Sequence, residues 1–306
     1  MPILGPDVGA WKAALRRIED LGFSTVAVSE HLTHGWRMEP VASLAAAAMA
    51  TSQLRLLTLV LANDFRHPVM LHKALATIDV LSGGRLEVGL GAGWRRDDYD
   101  AAGFDFDAPS VRIDRLAETV AILDGLFGPE PFTFEGRHYH VKALDGLPKP
   151  IQRPRPPLFI GGGGSRILGL AGRCADIVGI HGRLPPGGVT AEIAAELAPE
   201  RFDERVAIVR NAAIGAGRPV PELQATIYLT RVGGATASNA VAPSTFAAVL
   251  EAHPGAVADS PAVLIGSLEQ CVETLLERRE RYGISAWHLG ADIDAVAPIV
   301  ARLAGR

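Results

Sequence analysis

The sequence predicts an α/β fold, a parallel (β/α)8 TIM barrel with its first strand mostly missing from this chain. Three observations predict it. Residues 54–94 read as strand, helix, strand, with the unusual residues gathered at the strand ends. Short apolar runs alternate with helical stretches along nearly the whole chain. The length of 306 residues and the 48% hydrophobic content suit one large domain with a full core.

Trp11, Leu15, Ile18 and Leu21 fall on one helical face, which Gly22 stops. Thr25–Val28 is a short β-branched strand running into Ser29-Glu30-His31, and Val41–Thr51 is a helix of small residues. The apolar strand Leu54–Leu61 leads to a polar turn. A helix follows, opened by Pro68 and stopped by Ser82-Gly83-Gly84. The next strand, Leu86–Leu90, ends in Gly89, Gly91 and Gly93, followed by Trp94. Ile113, Leu116, Val120, Leu123 and Phe127 mark an amphipathic helix. Phe132–Val141 reads as a hairpin outside the barrel, and Leu147–Pro157 as a Pro-rich extended segment. The strand Leu158–Ile160 runs into Gly161–Gly164, and a helix begins at Ser165. Strands at Ala175–Ile180, Leu223–Leu229 and Ala286–Leu289 alternate with helices at Phe202–Ala216, Ser244–Glu251 and Leu268–Tyr282. Seven strands are readable. Only Ile3-Leu4 precede Gly5-Pro6, so the eighth is reduced to a remnant, and a start upstream of Met1 is expected. The chain is read as one domain, 1–306, with insertions near 131–156, 182–200 and 233–260.

The formal net charge of −4 argues against a nucleic-acid partner. Cys174 and Cys271 lie far apart, so neither a disulfide framework nor a zinc site is expected, and a cytoplasmic location fits. His138-Tyr139-His140 is better explained by alternation on a ribbon than by metal binding. No run reaches membrane-spanning length, and no signal peptide opens the chain.

The chain resembles the bacterial luciferase-like superfamily, in particular its actinobacterial branch of coenzyme F420-dependent oxidoreductases. The likeness is carried by Glu19-Asp20-Leu21-Gly22-Phe23, Ser29-Glu30-His31 and Asn63-Asp64-Phe65-Arg66-His67-Pro68. It continues through Leu81–Leu86, Gly89–Trp94, Pro148-Lys149-Pro150, Leu158–Gly164 and Arg281-Tyr282-Gly283-Ile284. It implies a barrel of luciferase-like type with a flavin or deazaflavin at the C-terminal strand ends, and commonly a homodimer. Trp94 stands where the sugar-phosphate dehydrogenase branch has a catalytic glutamate, so that activity is not expected.

Candidate site residues follow. Gly161, Gly162, Gly163 and Gly164 with Ser165 sit between a strand and a helix start, where backbone N–H groups suit a phosphate. A plain turn is the alternative, although four glycines exceed what a turn needs. Gly91, Ala92 and Gly93 are implied by the resemblance to run beside the ring system. Leu59, Val60 and Ala62 are implied as further cofactor contacts, with a non-proline cis peptide at Leu59-Val60. His31 follows a strand, so its imidazole is expected on the active face as the proton-exchanging group or as a contact to the cofactor. Glu30 either orients His31 or points to solvent. Arg66, His67, Arg95 and Arg96 are candidates to pair with the anionic tail of F420, and His181 is a minor candidate for the substrate pocket.

The expected function is a coenzyme F420-dependent oxidoreductase passing hydride between the reduced deazaflavin and an unsaturated or carbonyl small molecule. The alternatives are an FMN-dependent monooxygenase and a non-catalytic flavin- or deazaflavin-binding protein. No metal, nucleic-acid or membrane partner is expected.

Overall fold

The computed structural model describes residues 1–2, 7–33, 38–185, 192–233, 235–236, 245–253, 259–290 and 292–305. The Ile3-Leu4 remnant, Ser244 and parts of the insertions predicted at 182–200 and 233–260 lie outside the described residues. The chain divides into two compact units, Met1–Glu19 with Ser24–Ile160 and Asp20–Phe23 with Gly161–Arg306.

The first unit begins with α1 (Val8–Asp20), β1 (Thr25–Val28), α2 (Pro40–Ala50), β2 (Arg55–Thr58) and the two-residue β3 (Leu61–Ala62). It continues with α3 (Pro68–Ser82), β4 (Leu86–Gly91), α4 (Arg96–Ala102), α5 (Pro109–Phe127), the hairpin β5 (Phe132–Glu135) and β6 (His140–Leu144), and the start of β7 (Leu158–Gly162). The strands pair in parallel in the order β1–β2–β4–β7, with β3 beside the end of β4. The predicted single strand Leu54–Leu61 is divided. β2 ends at Thr58, a cis peptide joins Leu59 to Val60, and β3 resumes at Leu61. The ladder gives way to separate partners there: the Leu59 N–H donates to the Val28 carbonyl at 2.7 Å and the Ala62 N–H to Glu30 at 2.8 Å.

Several motif residues hold the strand starts, away from the strand ends. Arg85 donates from its guanidinium to the carbonyls of Ala48, Thr51, Ser82 and Leu54. Asp79, fully buried, accepts the N–H groups of Ile151 and Gln152 at 2.7 and 3.0 Å. The carboxylate of Glu19 accepts the N–H groups of Ser52 and Leu54 and lies below its ordinary pKa, because these bonds outweigh the opposing effect of burial. These residues are scaffold.

The second unit contains α6 (Ser165–Cys174), β8 (Ile177–Ile180), α7 (Glu192–Glu196), α8 (Pro199–Gly215), β9 (Glu222–Thr226), β10 (Leu229–Val232) and β11 (Ala235–Thr236). It closes with α9 (Thr245–Ala252), β12 (Val263–Gly266), α10 (Leu268–Tyr282), β13 (Ile284–His288) and α11 (Ile293–Leu303). β8, β9 and β13 pair in parallel. The predicted strand Leu223–Leu229 is two strands, because at β10 the chain leaves this ladder to form a small sheet with β11 and β12. Ile227, Leu264, Cys271, Leu275 and Ile299 form a core beneath that sheet. α10 carries a capping box, Ser267 with Gln270, and ends at Gly283 in the left-handed region.

Candidate functional site

Three neighbouring strand ends of the first unit converge. His31 follows β1, Leu59–Ala62 follow β2, and Gly91–Trp94 follow β4. Ala62 and Gly91 are register partners. Beside them lies a cavity of about 390 Å³ whose lining includes Glu30, His31, Leu32, Phe65, Arg66 and Phe104. Its wall is thus part aromatic and aliphatic, part charged, as small-molecule sites usually are.

His31 is the centre of the polar side. Its Nδ1 lies 2.8 Å from Oδ2 of Asp98, and the two side chains are 19% and 4% exposed. Oδ1 of Asp98 accepts from the N–H groups of Leu32 (3.1 Å) and Thr33 (2.9 Å) and from the Thr33 hydroxyl (2.6 Å). Burial pushes the Asp98 pKa up, but the bonds from Thr33 and His31 outweigh it and hold the carboxyl below its ordinary value. The Trp94 ring meets His31 edge-on, with centroids 5.8 Å apart.

Glu30 does neither of the things expected of it. It is buried, and its carboxylate takes the Ala62 N–H and an ion pair with Arg66 at 2.7 Å. It therefore ties β1 to β3 and leaves His31 to Asp98. Arg66 also pairs with Glu39. Two carboxylates already neutralise this guanidinium, which weakens its expected role against an anionic tail. His67 accepts the Val69 N–H at the start of α3. Arg95 lies over Trp94 at 5.5 Å, and Arg96 is more than half exposed beside Asp100.

The glycine loop is set by its neighbours. Gly93 has φ +73°, and a Cβ there would overlap the buried Tyr99 hydroxyl. A Cβ on Gly89 would overlap the Thr58 carbonyl, while the Thr58 hydroxyl bridges both the N–H and the C=O of Gly89. Arg112, only 4% exposed, donates to the carbonyls of Ala92 (3.1 Å) and Gly93 (3.3 Å). Sequence reasoning passed over Asp98 and Arg112. Arg112 carried a signal: it precedes Leu116, Thr119, Val120 and Leu123 at helical spacing, so a cation occupies the buried stripe of α5.

In the second unit, Gly161 and Gly162 complete β7, and Gly164 is the N-cap of α6 with no side-chain cap bond. Gly163 is required by packing, because a Cβ would strike the backbone of Gly182 and Arg183. Its carbonyl accepts from buried Arg205 at 3.1 Å, and Arg205 is paired with Glu196. Gly164 differs. Its φ of −90° suits any residue, and a Cβ there would meet nothing within 4 Å. The N–H groups of the first turn of α6 begin here, at the position where the sequence suggests a phosphate. Ser165 is exposed beside it. His181 follows β8 and contacts the Tyr228 hydroxyl at 3.3 Å. Burial pushes both His181 and His288 down to about 4.

Comparison with known proteins now bears on this geometry. The luciferase-like monooxygenase family model matches residues 4–285. The chain belongs to that family. Its α/β fold is that of the luciferase-like barrels. Among curated relatives, the FMNH2-dependent dimethylsulfone monooxygenase of Pseudomonas putida is 32% identical over 127 residues, 42% of this chain and 35% of that protein. The F420-dependent glucose-6-phosphate dehydrogenase of Microbacterium testaceum is 32% identical over 164 residues, 52% of this chain and 48% of that protein. The match thus spans about half or less of these relatives. The solved structure of monooxygenase RslO1 from Streptomyces bottropensis superposes with a TM-score of 0.75 at 25% identity, covering 99% of this chain and 94% of that one. The relatives therefore use either F420 or FMN. Among the described residues no helix is long and apolar enough to cross a membrane, and no group of three or more His, Cys, Asp or Glu side chains is placed to hold a metal.

Proposed function

We propose that this chain is a coenzyme F420-dependent oxidoreductase acting on an unsaturated or carbonyl small molecule. The observation that carries the reading is His31 on the wall of a partly apolar cavity, with the buried Asp98 carboxylate against its Nδ1. Reducing a carbonyl by hydride needs a proton delivered to oxygen, and oxidising an alcohol needs one removed. A carboxylate-held imidazole suits both. When bound, the deazaflavin supplies a two-electron hydride carrier.

In the first unit, Leu59–Ala62 and Gly91–Gly93, braced by Arg112, would bound the ring of such a group. In the second unit, taken by itself, Gly164 and Ser165 at the N-terminus of α6 are the residues that would take a phosphate. His31 would exchange the proton, and Phe65, Phe104 and Leu32 would offer the substrate apolar contact along the cavity wall. A phosphate at the α6 terminus would suit FMN as well. The pairing of Arg66 with Glu30 and Glu39 removes one argument for the F420 tail, and keeps the FMN-dependent monooxygenase as the second reading.

Fluorescence titration of the purified protein with F420 and with FMN tests the choice. Tighter F420 binding, together with substrate-dependent oxidation of reduced F420, is expected. Equal or tighter FMN binding sinks the reading in favour of the monooxygenase.

A further inference from the structure

We propose that Asp98 is a positioning residue that fixes His31 in the tautomer carrying its proton on Nδ1, so that Nε2 is the proton-accepting nitrogen. The inference rests on the functional reading above only for what Nε2 then does. The tautomer itself follows from hydrogen-bond chemistry. An ionised carboxylate accepts and never donates. Oδ2 of Asp98 stands 2.8 Å from Nδ1, so Nδ1 must be the donor. The carboxyl's lowered pKa supports its ionised state at neutral pH.

The other oxygen makes the arrangement specific. Oδ1 holds three donors, from Leu32 and from both the backbone and the hydroxyl of Thr33. These pin the carboxylate plane from the loop that carries His31, so the acceptor cannot swing away from the ring. The charged side chains that line the cavity wall beside His31 pair with one another: Glu30 with Arg66, and Glu39 with Arg66. Asp98 is the carboxylate at hydrogen-bond distance from Nδ1. Deletion of such an orienting carboxylate costs rate through the wrong tautomer even where geometry survives. It also removes the stabilisation of the imidazolium that forms when Nε2 takes a proton.

Asp98→Asn is a near-isosteric test. The three donors on Oδ1 require an oxygen there, which forces the amide NH2 toward His31. Nδ1 must then accept, and the proton moves to Nε2. Nitrogen-15 NMR of histidine-labelled protein, without cofactor, reads this directly. In the parent protein His31 should show a pyrrole-type Nδ1 and a pyridine-type Nε2. Asp98→Asn should invert the pattern and lower the titration midpoint of His31 by about one pH unit. With reduced cofactor and substrate, turnover should fall roughly a hundredfold or more while cofactor affinity changes less than about threefold. Thr33→Val, which loosens the pin without touching the ring, should keep the parent nitrogen pattern. A parent His31 protonated on Nε2 overturns the proposal, even if Asp98→Asn fails to fold. So does an unchanged pattern in Asp98→Asn, or the same inversion in Thr33→Val. The expected tautomer in a protein that ignores F420 overturns the functional reading alone.

Discussion

His31 and the two strand-end histidines of the second unit live in opposite electrostatic settings. His31, in the first, is half-buried with a carboxylate at hydrogen-bond distance. His181 and His288, in the second, are only partly exposed, and desolvation pushes both down to about 4, with a phenol, Tyr228, against His181. Both kinds stand at C-terminal strand ends, where barrel enzymes do their chemistry. The difference teaches which position can move a proton near neutral pH. An imidazole beside a carboxylate can cycle between its two charge states. One that burial holds neutral can hydrogen-bond a substrate but is a poor carrier of a proton.

The sharpest way to break the comparison is to remove each histidine in turn. His31→Ala should lower turnover by roughly two orders of magnitude or more. His181→Ala should act mainly on substrate affinity, through KM. Steady-state kinetics at saturating reduced cofactor would check this. A His31→Ala protein with near-parent turnover, or a kcat loss of that size confined to His181→Ala, would exchange the roles.

The glycine loops give a second contrast, with a smaller expected effect. Gly163 is a glycine because backbone lies against it, whereas nothing in the fold requires one at Gly164. Gly163→Val should therefore lower the melting temperature with or without cofactor. Gly164→Leu should leave the free protein's melting temperature within a few degrees of the parent and weaken cofactor binding tenfold or more, because its side chain would occupy the proposed phosphate position. Parent affinity in Gly164→Leu would place the phosphate elsewhere.

Much of this was legible in the sequence, for identifiable reasons. The strand–helix alternation could be read because buried parallel strands are short apolar runs bounded by glycine and proline. Helix α3 was placed to the residue by Pro68 and Ser82-Gly83. α4 was missed because Arg96-Asp97-Asp98-Tyr99-Asp100 reads as a solvated charge run, yet Asp98 and Tyr99 are buried. α11 was missed because Pro298 lies inside it. At the site, His31 was found from its place after β1. Its partner was not, because Asp98 lies 67 residues away on another element and only folding joins them. Adjacency misled at Glu30, whose side chain turns to the next strand.

The smallest expected effect sharpens the contrast through pH. His72 in the first unit is 2% exposed, and burial, reinforced by Lys149, pushes it down to about 4. Its folded pKa lies below the unfolded value of about 6.5. Between these values the unfolded chain binds a proton that the native state refuses, so stability falls as pH drops from about 6.5 toward 4. His181 and His288 add in the same direction. Asp98 has the opposite partner logic and a lower range: its contribution is intact above about pH 4 and is lost only as pH falls through its depressed native value. Urea unfolding from pH 7 to 5 should therefore show a progressive loss in the parent. His72→Leu should be less stable at pH 7, where the ring's contact with Phe127 is lost, but should show a shallower decline, by about 1–2 kcal/mol over that interval. Parallel curves for parent and variant would mean that His72 accepts its proton in the folded state, and that burial alone does not set these histidines apart from His31.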